Sequence, residues 1–126
     1  MKWIKIFFLF FFGLVACSEP YKEGKATYMV HCAGCHGNEA EGFSTLYPDL
    51  KDAVWINQNR NQLANILKNG TKGNLRPGIT NRLQNIEMPP NTIINEIDIT
   101  NILNYLNYNY WKMDEFSLEE IKGRIH

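Results

Sequence analysis

The chain has 126 residues, of which 44% are hydrophobic and 21% charged, and its thirteen basic side chains balance thirteen acidic ones. This length builds one small core, and the composition fits neither a disordered chain nor an integral membrane bundle. With a formal charge of zero there is no bulk attraction toward nucleic acid, which is not expected as a partner.

The first element in chain order is a targeting segment. Lys2 and Lys5 make a basic start, and residues 6–16 form an apolar run containing five phenylalanines. Small residues then lead up to Cys17, as in an export signal. The run falls well short of the roughly 20 apolar residues a spanning helix needs. Leu14-Val15-Ala16-Cys17 resembles the lipobox of bacterial lipoproteins, and the resemblance implies that residues 1–16 are removed and Cys17 is acylated. Residues 17–19 would then be a lipidated tether. Two or three acyl chains give a stable anchor where one does not, so the protein is expected outside the cytoplasm, at a bacterial membrane face toward the periplasm or cell exterior. Without Lys2 and Lys5 the balance becomes eleven basic against thirteen acidic residues, a net of −2. Cys17, Cys32 and Cys35 are the only cysteines, so lipid on the first and another role for the other two leaves none for a structural disulfide.

The rest of the chain reads as helical. Ser18 or Glu19 can cap a first helix with Pro20 in its first turn, running through Tyr28 into "MVHCAGCHGNEAEG" at residues 29–42. A second helix is read from Leu63, Ile66 and Leu67, stopped by Gly70. Asn95 and Asp98 form a capping pair for a third, whose stripe is Ile99, Ile102, Leu103, Leu106 and Tyr110. A short last helix is expected to turn Phe116, Leu118 and Ile121 inward, with Asp114, Glu115, Glu119 and Glu120 on its solvated face. Period-two alternation is weak throughout, so strands are not expected.

Cys32, Cys35 and His36 could belong to a zinc site, a thiol-disulfide pair or a covalent haem. Structural zinc requires four ligands, and there is no second cysteine pair to complete them. A thioredoxin-like pair belongs beside a strand in a βαβ pattern, which is missing here. Covalent haem is the reading that stands: two thioethers hold the porphyrin, and the adjacent histidine reaches the iron.

These residues, with others in order, resemble the class I c-type cytochromes over nearly all of residues 20–112. Gly24 and Tyr28 match the small residue and aromatic at the family's first helix crossing; "CAGCHG", "YPDLK", "VW" at 54–55, "ILKNGTKG" at 66–73, "MPP" at 88–90 and "NILNYL" at 101–106 follow. The resemblance implies an all-α fold packed around one covalent haem c, with a cytochrome domain at 20–112 and a short helical extension at 113–126. It implies that the Pro48 carbonyl accepts the other N–H of the His36 imidazole and that Leu50 packs on the haem. Trp55 is expected either to bond a haem propionate or to serve as a plain core residue. Tyr105 is expected to pack against the first helix, with Tyr108 and Tyr110 as surface aromatics, and His31 as a solvated neighbour rather than a ligand.

For the second axial ligand, Met29 is tied to the proximal helix and Met113 lies beyond the last stripe, which leaves Met88. The prolines after it disfavour helical backbone, and the family's distal methionine sits in this "MP" context. The implied function is one-electron transfer with both axial positions filled and no substrate at iron, so the chain is read as a carrier rather than an enzyme. An alternative is a cytochrome subunit or dedicated acceptor module of a membrane-associated enzyme, such as a quinoprotein dehydrogenase or terminal reductase. A peroxidase or gas sensor would need an open iron. Between Asp52 and Glu87 the chain has no acidic residue but carries Arg60, Lys68, Lys72, Arg76 and Arg82, so a redox partner with an acidic docking surface is expected near Lys68, Lys72, Arg76 and Arg82.

Overall fold

The structure, a computed structural model, describes residues 18–44, 46–72 and 87–126. The expected signal peptide, Cys17, Arg76 and Arg82 lie outside these residues. The helices are α1 (Lys22–His31), α2 (Ala33–His36), α3 (Ala53–Gln58), α4 (Arg60–Asn69), α5 (Glu96–Leu106) and α6 (Leu118–Lys122), with a π-helical segment, Asn107–Trp111, continuing α5. Among the described residues there is no strand, only isolated bridges at Phe43–Tyr47 and Thr71–Met88. No helix there is long and apolar enough to cross a membrane.

The core begins where α1 crosses α5. Gly24 is buried against Asn101, and a Cβ at this position would collide with the Asn101 carbonyl and lie 2.9 Å from Tyr105 Cβ. One turn later Tyr28 is fully buried and packs on Tyr105 with ring centroids 5.7 Å apart, the contact expected for Tyr105. The start of α1 differs from expectation. Neither Ser18 nor Glu19 caps it; Pro20 precedes it, and Tyr21 takes the N-cap position with φ 56° and no side-chain cap. Tyr21 packs on Tyr108, centroids 5.6 Å apart, while Glu19 takes the Lys25 ammonium at 2.6 Å. These contacts hold the left-handed turn in place of a capped start.

At α5 the capping box forms as the residues dictate. The Asn95 side chain accepts from the Ile97 and Asp98 amides, and Asp98 accepts from the Asn95 amide. Ile99, Ile102, Leu103 and Leu106 are buried along its stripe. Beyond Leu106 the stripe departs from the α-helical period. The π turn rotates Trp111 into the core, leaving Tyr110 half-buried at its edge.

Two asparagines on this helix, both buried, clamp the returning chain. Asn104 donates to the Phe116 carbonyl at 2.9 Å and accepts from its amide at 2.8 Å. Asn107 does the same for Met113, at 2.9 and 2.8 Å. A buried amide satisfied on both atoms fixes one register for the segment it holds, so residues 113–126 pack as part of the core. Phe116 and Ile121 are buried and Leu118 half-buried, and Ser117 caps α6 by accepting from the Glu120 amide at 3.1 Å. Glu120 is not on a solvated face as expected: Arg60 reaches it with two hydrogen bonds of 2.9 Å, donates also to the Asp114 and Glu115 carbonyls, and lies 3.8 Å over the Phe116 ring. The guanidinium's hydrogen bonds hold the Glu120 carboxyl below its ordinary range.

In α4, Leu63 is buried and Ile66 and Leu67 half-buried, and Gly70 ends the helix at φ 69°. Helix α3 is too short to announce itself by periodicity. It forms because the Asp52 carboxylate accepts from the Trp55 amide at 3.0 Å.

Candidate haem site

The expected attachment residues lie where α1 passes into the single turn of α2. The Cys32 amide bonds back to Tyr28 at 2.8 Å, and the His36 amide to the Cys32 carbonyl at 2.9 Å. Residues three and four apart on one turn are neighbours, which sets Cys35 and His36 each beside Cys32, and Ala33 between them in sequence is buried. Both thiols are free; Cys32 is half-buried and Cys35 exposed. Burial pushes the Cys32 thiol up to about 11.

After His36 the chain turns at Gly37, φ 82°, where the Tyr28 hydroxyl donates to the Gly37 carbonyl at 2.8 Å. A loop returns through the Phe43–Tyr47 bridge to Pro48, whose carbonyl lies 3.1 Å from His36 Nδ1. A carbonyl can only accept, so Nδ1 carries the proton and iron coordination would fall to Nε2. Leu50 bonds the Ala40 carbonyl through its amide at 2.9 Å. Leu50 and Trp55 are both half-buried against the core, and His31 is half-buried in the last turn of α1.

Met88 is held by backbone rather than by helix. Thr71 donates to the Met88 carbonyl at 2.9 Å, and Met88 donates to the Thr71 carbonyl at 3.1 Å. Gly70 makes this approach possible: a side chain there would strike the Met88 carbonyl and lie 2.7 Å from the Pro89 carbonyl carbon. Of the other methionines, Met29 is exposed on α1 and Met113 is pinned by Asn107 against the far end of the core.

The donor set fits haem. Two unpaired thiols three residues apart, an imidazole oriented through Nδ1 and half-buried apolar side chains supply thioether partners, a nitrogen ligand and a partly covered wall. An all-α fold with these groups on one helical turn defines a class I c-type cytochrome. The family model for cytochrome c matches residues 21–109, well over half of the chain, and the protein belongs to the cytochrome c family. No curated protein matches the chain significantly. Family membership makes it an electron carrier with covalently bound haem c and redox proteins as partners. Sequence reasoning missed the Gly70–Thr71 brace, Asn104, Asn107 and Trp111; only Gly70 had a signal, as a helix stop.

Proposed function

We propose that the protein is a monohaem carrier, with one haem c on Cys32 and Cys35 and axial iron ligation by His36 and Met88. The observation that carries this reading is the 3.1 Å contact between His36 Nδ1 and the Pro48 carbonyl beside the cysteine pair. The sequence contains one CxxCH motif, which supports a single haem. Bound haem supplies one-electron chemistry between ferrous and ferric iron. Pro48 orients His36, the Thr71 bridge holds Met88 in extended backbone, and Leu50 and Trp55 exclude water from the wall.

The test is Met88→Ala. This variant is expected to keep its haem but lose the absorbance feature of sulfur-ligated ferric iron. Its potential should fall by at least about 59 mV, the tenfold step for one electron. An unchanged spectrum and potential would transfer the role to Met113 or another group.

Lipid on Cys17 is proposed to hold this domain at a bacterial membrane outside the cytoplasm, where it passes electrons between respiratory or dehydrogenase partners. Residues 18–21 precede α1, a reach of roughly 14 Å when extended. Cys17→Ser is expected to release the processed protein into the soluble fraction. Full retention would mean that a protein partner holds it, as for a subunit of a membrane-associated enzyme.

Docking is proposed to use Lys72, with Arg76 and Arg82. Among the described cations between Asp52 and Glu87, Arg60 is engaged by Glu120 and Lys68 by the Ile94 carbonyl at 2.6 Å. Lys72 is exposed. Reversing Lys72 and Arg76 to glutamate is expected to slow electron transfer to an acidic partner at low salt. The difference should shrink as screening grows, since steering acts over a Debye length of about 8 Å at physiological salt. Equal rates at low salt would place docking elsewhere.

A further inference from the structure

The loop from Gly37 to Leu50 contains the carbonyl that meets His36, yet no helix lies among its described residues. Its entry is tied to α1 by the Tyr28 hydroxyl on the Gly37 carbonyl, and its exit closes on its entry through the Leu50 amide and the Ala40 carbonyl. A third tie comes from the far end of the chain. Trp111 Nε1 donates to the Leu50 carbonyl at 2.7 Å. One residue, Asp49, separates Leu50 from Pro48, so a displacement of the Leu50 peptide moves the Pro48 carbonyl with it.

Trp111 reaches Leu50 only because α5 widens. The π turn closes with the Lys112 amide on the Asn107 carbonyl at 2.9 Å, and the chain then reverses at Lys112 with φ 57°. Asn107 clamps the next residue, Met113, and Phe116 meets the indole edge-on, with centroids 6.4 Å apart. Single π turns within α-helices are rare and recur at functional sites, where they re-aim a side chain.

We infer that Trp111 is a positioning residue for the proximal haem ligand: its indole N–H, fixed on the Leu50 carbonyl, sets where the Pro48 carbonyl meets His36. The inference rests on His36 being the iron ligand. A hydrogen bond from the ligand's second nitrogen raises its basicity and fixes its ring orientation, which favours ferric iron. Loss of the indole N–H slackens the loop, weakens the Nδ1–H bond and raises the potential.

The experiment compares the wild-type holoprotein with Trp111→Phe, which keeps a ring against Phe116 and removes the donor. Reduction potential, thermal midpoint and exchange of the His36 ring N–H by NMR of the ferric protein are measured on both. The inference expects a raised potential and at least tenfold faster ring N–H exchange. A lowered thermal midpoint with unchanged potential and exchange would overturn it, because Trp111 would then be packing alone. If Trp111→Phe does not mature with haem, the wild-type protein decides: the indole N–H must be protected, and exchange at the solvent rate overturns the inference. Wild-type His36 ring signals without hyperfine shift would overturn the ligand assignment as well. Shifted signals indifferent to Trp111→Phe would overturn only the role of Trp111.

Discussion

Replacing Cys32 and Cys35 together by alanine is expected to leave no haem on the denatured chain. Each cysteine can contribute one thioether, and Cys17, the remaining cysteine, lies fifteen positions before Cys32 and cannot take the place of a residue one turn from His36. The effect should extend to the fold. Leu50, Trp55 and Leu67 are only half-buried by the protein itself, so the haem is proposed to cover apolar surface that the chain leaves open. Burial is worth about 25 cal/mol per Å², and domains of this size have little stability to spare. The double variant should therefore give no haem stain after denaturation and unfold at lower temperature and with less cooperativity than the holoprotein. A haem-bearing band on a denaturing gel would sink the attachment assignment.

Gly24→Ala is expected to destabilise the protein through the α1–α5 crossing. The added Cβ meets the Asn101 carbonyl and Tyr105 Cβ, neither of which is the yielding end of a flexible side chain. The helices must separate, which also loosens Tyr28 from Tyr105 and from the Gly37 carbonyl. Overpacking of this kind costs about 3 kcal/mol, a large share of the 5–15 kcal/mol typical of a domain. The midpoint of thermal unfolding should fall by more than about 10 °C. A variant melting within about 2 °C of the parent would show that the crossing adjusts at little cost.

How much of this was legible in advance depends on how far apart along the chain the interacting groups lie. Cys32, Cys35 and His36 are three and four residues apart, so one helical turn brings them together wherever the segment packs. The capping box at Asn95 and Asp98 and the stripe through Leu106 are likewise properties of one stretch of chain. The sequence by itself therefore determined the helical class, the attachment turn and, through ordered resemblance, the candidates Pro48 and Met88. Only the tertiary structure decided how those candidates are held. Thr71 and Met88 are bridged by backbone atoms, which carry no residue signature. Asn104 and Asn107 occupy helix positions where asparagine ordinarily reads as solvated, and their partners are main-chain groups of a returning segment. Arg60 reads as one charge of a basic stretch until Glu120, sixty residues later, meets it. Trp111 falls off the 3.6-residue stripe, and only the π turn, closed by contacts with residues after it, brings its indole to Leu50. Local periodicity records which face of a helix is apolar. It does not record a polar bond between distant segments, because that bond exists only after the chain has returned.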